Sequence, residues 1–296
     1  NSGAEAIEAA MKFARKFTGK KGMVAMKGSY HGKSFGALSL TFNPKYRKAF
    51  APLVEKVSFA SFGDMDSLRS VIDEDTALII LEPIQGESGI IVAPDGFLQE
   101  VRKLCNEKGI LLIFDEIQAG LGRTGRLWAG EHWNTVPDIL CLAKGIAGGV
   151  PMGATLVRPD ILAAISKGEH SSTFGGNPIS CAAGIAALTS ITEDGLIENS
   201  KKMGEVFKEG LEKLKEKHTM IREIRGKGLM IGIEMKFEVK DILMGLIEEG
   251  VLMLYSGRNI LRILPPLVIK EEDVTKVLHA LDVVIDKEEE KRNVQR

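Results

Sequence analysis

Two carboxylates and an amide follow an apolar run in the middle of the chain. Residues 110–114 lead directly into Asp115, Glu116, Ile117 and Gln118. Because open α/β sheets bind ligands beyond the carboxyl ends of their strands, a carboxylate here could pair with a cationic ring nitrogen. The plainer alternative is that Asp115 and Glu116 only cap a loop. This motif alone does not exclude that alternative.

A lysine follows a second apolar run at the corresponding point. Lys144 comes after residues 139–142 and enters a glycine-rich turn. We expect it to be partly buried, which favours the neutral, nucleophilic amine. The alternative is a solvated surface lysine. The separation from Asp115 suits one crossover to a nearby strand. A carboxylate for a pyridinium and a lysine for a Schiff base are the groups that pyridoxal phosphate requires.

Three further segments contain residues suited to an anion or a planar ring. Gly3 and Ala4 begin an amphipathic helical pattern, and the N–H groups of a first helical turn bind phosphate. Ser172 and Thr173 precede another helical pattern together with glycines. Tyr30 follows a predicted strand and could stack on a ring. The alternatives are ordinary helix caps and a core aromatic residue.

One arginine lies inside an apolar strand pattern near the end of the chain. Arg262 stands in the run 259–264 and is followed by two prolines. A buried guanidinium must find a partner, and a substrate carboxylate bound through two hydrogen bonds would serve. The alternative is that its charged end reaches the surface.

A glycine-rich loop at 120–125 matches the G-x-G-x-x-G pattern of dinucleotide-binding proteins. That pattern requires a helix opening directly from the loop, and residues 126–130 are a poor helix start. A nicotinamide-dependent oxidoreductase therefore remains a minor alternative.

The elements that must position these residues alternate between short apolar runs and helical patterns. Strands are predicted at 23–27, 56–61, 77–81, 110–114, 139–142 and 154–157. This alternation predicts an α/β fold with a mostly parallel sheet covered by helices. After residue 195 the pattern changes to a smaller α+β unit. Its helices are predicted at 196–217, 239–249 and 271–290, and its strands at 228–235, 251–255 and 259–264. We predict domains at 1–195 and 196–296.

Composition narrows the classes of function. The 296 residues carry 39 Lys and Arg against 40 Asp and Glu, so net charge gives no reason to expect nucleic acid or an anionic membrane as partner. No apolar run reaches the roughly 18 residues of a membrane span. Three scattered cysteines fit a reducing compartment, so we expect a cytoplasmic protein. The five histidines show no zinc-like spacing, so no metal site is expected.

Read in order, the motifs resemble those of the class III pyridoxal-phosphate-dependent aminotransferases of fold type I. They are Asn-Ser-Gly-Ala-Glu-Ala (1–6), Tyr-His-Gly (30–32), Glu-Pro-Ile-Gln-Gly-Glu (82–87), Asp-Glu-Ile-Gln (115–118) with Gly-Arg-Thr-Gly (122–125), Lys-Gly (144–145), Ser-Thr (172–173) with Gly-Gly-Asn-Pro (175–178), and Arg-x-x-Pro-Pro (262–266). The resemblance extends over essentially the whole chain. It is strongest to the acetylornithine aminotransferases. Among these, the archaeal kind that also serves lysine biosynthesis on an amino-group carrier protein is especially similar.

The resemblance implies roles around the cofactor ring. Lys144 is expected to form the Schiff base and to shuttle the proton, and Asp115 to pair with the pyridinium nitrogen. Gln118 is expected to bind the phenolic oxygen, and Tyr30 to stack on one face of the ring.

The resemblance also implies a phosphate site shared between subunits. The backbone of Gly3 and Ala4 is expected to hold the phosphate. Thr173 is expected to reach the phosphate of a neighbouring subunit, which requires a homodimer with shared active sites. Ser172, beside it, is expected to touch substrate.

For substrates, the resemblance implies that Arg262 binds the α-carboxylate of glutamate or 2-oxoglutarate. Glu87 is expected to pair with this arginine when an ω-amine binds instead. Lys33 stands where acetylornithine enzymes carry an arginine for the substrate's second carboxylate or acyl end. It keeps the charge but loses the planar fork.

The expected reaction moves the ω-amino group of an acylated ornithine or lysine to 2-oxoglutarate, giving a semialdehyde and glutamate. The alternatives are a 4-aminobutyrate or ornithine aminotransferase, and a catalytically inactive relative that acts as a scaffold. The family's segment before the Ser-Gly-Ala turn is absent from this sequence, so we expect the chain to be a fragment.

Overall fold

The computed structural model describes residues 1–292, which form two compact units. The first comprises residues 1–85, 93–121 and 128–191, and the second comprises 86–92, 122–127 and the chain from 192 onward. The division at 191/192 lies close to the predicted boundary at 195. Two short segments that the sequence analysis assigned to the first domain, 86–92 and 122–127, belong to the second unit.

The strands are short and lie between the helices in chain order. They are β1 (Gly22–Met26), β2 (Val57–Ala60), β3 (Thr76–Leu81), β4 (Ile84–Gln85), β5 (Ile91–Val92), β6 (Leu111–Asp115), β7 (Ile139–Leu142), β8 (Ala154–Val157), β9 (Ile221–Lys227), β10 (Met230–Met235), β11 (Leu254–Ser256) and β12 (Ile260–Ile263).

The α-helices range from one turn to six turns. They are α1 (Gly3–Thr18), α2 (Phe35–Leu40), α3 (Pro44–Arg47), α4 (Met65–Ser70), α5 (Phe97–Lys108), α6 (Pro159–Ala163), α7 (Pro178–Glu193), α8 (Leu196–Lys217), α9 (Lys240–Glu248) and α10 (Glu271–Lys291). Turns of 3₁₀ helix occupy Lys48–Phe50, Ala129–Trp133 and Lys144–Ala147. No helix within residues 1–292 combines the length and apolar character needed to cross a membrane.

The first unit is built on a six-stranded sheet in the order β2-β1-β3-β6-β7-β8. All its pairings are parallel except that of β7 with β8. Strands β1, β3 and β6 are buried along their whole length, as expected for a sheet covered on both faces. The α/β prediction with a mostly parallel sheet is confirmed.

Helix α1 covers part of this sheet with one apolar face. Ser2 caps its first turn by accepting a hydrogen bond from the Glu5 N–H at 3.2 Å, and Gly19 ends it at φ +68°. Ile7, Ala10 and Ala14 are fully buried in the cluster that also contains β1, β3 and β6 residues. The helix therefore begins at the residues predicted to bind phosphate.

The second unit contains an antiparallel sheet in the order β11-β12-β10-β9. Residues of α8, α9 and α10, including Phe207, Leu246 and Leu281, form its core with β10 and β12 residues such as Ile233. Strand β9 was not predicted, because most of its residues are polar or charged and only Ile221 is buried. It forms a hairpin with β10.

Glu116, directly after β6, holds a turn in place. Its Oε2 accepts a hydrogen bond from the Ala129 N–H at 2.6 Å and its Oε1 from the Gly130 N–H at 2.8 Å. The side chain is almost completely buried. This burial raises its pKa to about 7, against the opposing effect of the two N–H donors.

We predict that Glu116 makes stability fall as pH rises. The folded-state pKa of about 7 exceeds the ordinary glutamate value of 4.5, so the folded protein keeps the proton to a higher pH than the unfolded chain does. The free energy of unfolding of the wild type should therefore drop between about pH 4.5 and pH 7, by on the order of 3 kcal/mol relative to Glu116→Gln.

Denaturant titrations at several pH values would measure this difference, with Glu107→Gln on an exposed part of α5 as the control. Glu116→Gln carries a constant cost as well, because its amide presents an NH₂ group to one of the two backbone N–H groups. Parallel stability curves for the wild type and Glu116→Gln would contradict the prediction.

Candidate active site

Asp115 is the last residue of β6, and its carboxylate is fixed from two sides. Its Oδ2 lies 2.7 Å from His31 Nδ1, and its Oδ1 accepts the Ile117 N–H at 3.0 Å. The backbone N–H of His31 donates to Thr41 Oγ1 at 2.9 Å. Asp115 and His31 are both buried. The loop-capping alternative therefore describes Glu116 well, whereas Asp115 belongs to a buried polar pair.

His31 is a site residue that the sequence analysis missed, although it lies within the quoted Tyr-His-Gly motif. Its contact with Asp115 joins loops that are 84 positions apart in the chain. The available signal was its position in the loop after β1, a strand of the same parallel sheet, since such loops meet at one sheet edge.

Lys144 lies beyond the end of β7, the parallel neighbour of β6. Asp115 is in register with Cys141, so the chain carrying Lys144 leaves the same edge of the sheet. Its backbone adopts φ +46°, a conformation uncommon for residues other than glycine and concentrated at functional sites. The expectation of partial burial is wrong for this chain: Lys144 begins a 3₁₀ turn outside the sheet and is exposed.

The first turn of α1 packs against two of the other motifs. A Cβ atom on Gly3 would lie 2.8 Å from Ile117 Cδ1, and one on Gly32 would lie 3.1 Å from Ala4 Cβ. A side chain at Gly3 would require Ile117 to shift, and one at Gly32 would also strain a backbone with φ +128°. The predicted phosphate turn, the Tyr-His-Gly loop and the end of β6 therefore meet in one place.

The loop before α7 also reaches the start of α1. Asn1 Nδ2 donates to Ser172 Oγ at 3.0 Å, and Ser172 Oγ also accepts the Gly175 N–H at 3.2 Å. Thr173 is exposed beside it. Ser172 thus lies close to the predicted phosphate turn of its own chain.

Tyr30 and Lys33 are linked through Tyr46, which the sequence analysis did not name. The rings of Tyr30 and Tyr46 pack edge to face with centroids 6.1 Å apart. Lys33 Nζ lies 4.5 Å from the centroid of the Tyr46 ring. A cation over an aromatic ring is stabilised by the ring's electron-rich face.

The residues of this edge fit pyridoxal phosphate. Gln118 Oε1 and His31 Nε2 are buried and make no hydrogen bond within residues 1–292, which is uncommon for buried polar atoms. A ligand with polar ring substituents would supply such partners. Gly3 and Gly32 let the first turn of α1 pack closely against Ile117 and the Tyr-His-Gly loop. Asp115 offers a fixed carboxylate for a ring nitrogen.

Arg262 and Glu87 form an ion pair in the second unit. Arg262 Nη1 lies 2.8 Å from Glu87 Oε1 and donates to the carbonyl oxygen of Gly86 at 3.2 Å. Arg262 is buried, whereas the Glu87 side chain is 41% exposed. The guanidinium is therefore neutralised by a carboxylate whose own side chain is open to solvent on one side.

The glycine-rich loop at 122–125 packs inside the second unit. A Cβ on Gly125 would lie 2.9 Å from Lys201 Cβ, and one on Gly228 would lie 2.4 Å from the Thr124 carbonyl carbon. The next helical turn in the chain is the 3₁₀ segment Ala129–Trp133. The loop therefore lacks the directly following α-helix that dinucleotide binding requires.

Comparison with known proteins agrees with the motif set. The class-III aminotransferase family model matches residues 1–285. The chain is 45% identical over 292 residues to an acetylornithine aminotransferase of Caldanaerobacter subterraneus subsp. tengcongensis, covering 96% of this chain and 74% of that protein. It is 43% identical to the [LysW]-aminoadipate semialdehyde/glutamate semialdehyde transaminase of Sulfurisphaera tokodaii, covering 99% and 76%.

Solved structures show the same fold. The ornithine aminotransferase of Toxoplasma gondii superposes with a TM-score of 0.95 at 34% identity, covering 98% of this chain and 72% of that one. With a family model spanning nearly all of its residues and with these relatives, the chain belongs to the class III aminotransferases, which are pyridoxal-phosphate-dependent enzymes of fold type I.

Proposed function

We propose that this aminotransferase moves the ω-amino group of an acylated ornithine or lysine to 2-oxoglutarate. The products are a semialdehyde and glutamate, so one amino group and one oxo group are exchanged between the two substrates. The observation that carries this proposal is the ion pair between buried Arg262 and Glu87.

An enzyme of this kind must accept two unlike substrates in one site. The ω-amine of the donor enters without an α-carboxylate beside it, whereas 2-oxoglutarate brings a carboxylate next to its oxo group. A buried arginine can bind the carboxylate of 2-oxoglutarate. When the ω-amine donor is bound, the same arginine would lack a partner, and an unpaired buried charge is costly. Pairing with Glu87 neutralises Arg262 for the donor, and rotation of Glu87 frees it for 2-oxoglutarate.

The residues at the edge of the parallel sheet would hold the cofactor. Pyridoxal phosphate supplies an aldehyde that condenses with amines and a pyridinium ring that withdraws electrons from the carbon losing a proton. Asp115, oriented by His31, would keep the proton on the ring nitrogen. Lys144 would hold the aldehyde through its amine and would move the proton that the substrate carbon loses. Gln118 would bind the phenolic oxygen.

The remaining cofactor contacts come from neighbouring loops. The N–H groups of Gly3 and Ala4 lie in the first turn of α1, where a helix leaves such groups without partners of its own. They would hold the phosphate. Tyr30 would stack on one face of the ring. Ser172 lies near the same turn and contacts substrate.

The names of the relatives support an acylated donor. The Caldanaerobacter relative is named for acetylornithine, and the Sulfurisphaera relative for substrates on a LysW carrier. We infer that Lys33, exposed above the Tyr46 ring, binds the donor's second carboxylate or acyl end. A donor held on a carrier protein could reach this lysine, because its side chain is exposed.

An ornithine aminotransferase is the second candidate. The Toxoplasma protein of similar structure is named an ornithine aminotransferase. Lys33 agrees with this candidate, because a lysine binds the carboxylate or acyl end of an acylated donor less specifically than the planar fork of an arginine does.

We further propose that the active form is a homodimer. Helix α7 and the loop before it leave large apolar side chains in solvent, including Phe174, Ile179 and Ile185. Several large apolar side chains exposed on one helix and its adjoining loop favour a protein interface there. Thr173, in the same loop, would bind the phosphate at the partner's site.

Substrate profiling tests the proposed reaction. With 2-oxoglutarate as acceptor, acetylornithine and carrier-linked lysine should be turned over with kcat/KM at least about tenfold above ornithine and 4-aminobutyrate. Glutamate formation coupled to a dehydrogenase would measure the rates. A preference for free ornithine supports the second candidate, and no transfer from any ω-amine contradicts the proposal.

Glu87→Gln should separate the two half-reactions. Because the neutral amide no longer cancels the charge of Arg262, kcat/KM for the ω-amine donor should fall about tenfold, while that for glutamate changes less than about threefold. Single-turnover absorbance measurements would follow each half-reaction. Glu238→Gln, which removes an exposed glutamate paired with Arg258, is the control. Equal losses in both half-reactions would argue against the proposal that Glu87 switches Arg262 between a paired state and a free state.

Mixing two inactive variants tests the shared site. Lys144→Ala and Thr173→Ala should each have little activity, and mixed dimers should regain activity because one of their two sites contains both native residues. Activity assays after denaturation and joint refolding would measure the recovery, with each variant refolded alone as the control. A mixture no more active than the sum of its parts would place both residues in one subunit.

A further inference from the structure

A row of three residues crosses the antiparallel sheet of the second unit. Gly232 of β10 is in register with Arg225 of β9 on one side and with Arg262 of β12 on the other. Residues directly opposite one another project from the same face of a sheet. The two arginines therefore flank a position that has no side chain.

The segment 86–92, which carries Glu87, lies on that face. A Cβ atom on Gly232 would lie 2.9 Å from the carbonyl oxygen of Gly89 and 3.1 Å from Ile90 Cβ. The absence of a side chain at Gly232 thus lets the segment approach the sheet closely.

Each arginine binds one part of this segment. Arg262 Nη1 donates to the Gly86 carbonyl oxygen at 3.2 Å, and Arg225 Nε donates to the Gly89 carbonyl oxygen at 2.9 Å. Ser256 Oγ donates to the carbonyl oxygen of Glu87. The backbone on both sides of the Glu87 side chain is thereby tied to β9, β12 and the end of β11.

Arg225 is itself held firmly. Its Nη1 lies 2.7 Å from Glu234 Oε2 and 2.8 Å from Glu223 Oε2, and its side chain is only 12% exposed. The hydrogen bond from Arg225 is the chief cause that lowers the pKa of Glu234. Two carboxylates hold Nη1, and the guanidinium is planar. The direction of Nε towards Gly89 is therefore fixed as well.

The segment adopts a backbone conformation that needs such support. Ile90 has φ +59° and is fully buried, which is a strained conformation for a β-branched residue. Strain of this kind persists only where surrounding contacts determine it.

We propose that Arg225 is a positioning residue for the Glu87–Arg262 switch. It anchors the backbone of segment 86–92 at Gly89, so that the switch operates by rotation of the Glu87 side chain about a fixed backbone. This inference rests on the proposed function for its catalytic consequence, whereas the anchoring itself can be measured without substrate.

The test compares Arg225→Met with Arg222→Met in the full protein. Arg222 lies on the same strand and also binds Glu234, at 2.9 Å, but its side chain is 56% exposed. Hydrogen–deuterium exchange of the peptide covering 86–92 should be about tenfold faster in Arg225→Met than in either the wild type or Arg222→Met. Arg225→Lys keeps the charge but lacks the planar fork, so its exchange should be intermediate. Arg225→Lys replaces Arg225→Met in the comparison if Arg225→Met does not fold.

The half-reactions give the second readout. In Arg225→Met, kcat/KM for the ω-amine donor should fall about tenfold relative to that for glutamate, and Arg222→Met should keep the wild-type ratio. Unchanged exchange at 86–92, or an equal loss in both half-reactions, would overturn the proposal. A wild type that transfers no ω-amine would instead refute the proposed function, and the exchange measurement would still decide whether Arg225 anchors the segment.

Discussion

Parallel pairing of β6 with β7 is the constraint on which the cofactor site depends. Because Asp115 is in register with Cys141, the chain leaves both strands at the same edge of the sheet, with Lys144 following shortly after. An antiparallel pairing would send these two residues to opposite ends. Strand β1 runs in the same direction, so the loop after it brings His31 to that edge, where it binds Asp115.

Buried polar side chains in both units are kept by specific partners. Asp115 and Glu116 are consecutive, and successive residues of an extended chain point to opposite sides. One therefore meets His31 and the other two backbone N–H groups of the turn at Ala129. In the second unit, Arg262 is matched by Glu87. Each pairing offsets the cost of burying a polar or charged group. Each also fixes the direction in which that side chain points.

Local patterns of the sequence predicted much of the framework. The bounds of β7, β8 and α8 are those expected from apolar runs and helical spacing. Strand β9 escaped prediction because most of its residues are polar or charged and only Ile221 is buried. Its Arg225 binds Glu234 across the hairpin and Gly89 far away in the chain. Such contacts leave no periodic signal. The exposure of Lys144 was likewise unpredictable, since burial depends on how the turn leaves the sheet.

Trapping the cofactor on its lysine tests the cofactor site most directly. The protein is loaded with pyridoxal phosphate, reduced with borohydride, digested and mapped by mass spectrometry. The expected result is a single stable modification, on Lys144, that is lost in Lys144→Ala. Modification of Lys33 or of another lysine, or none at all, would contradict the assignment of the cofactor to the shared edge of β6 and β7.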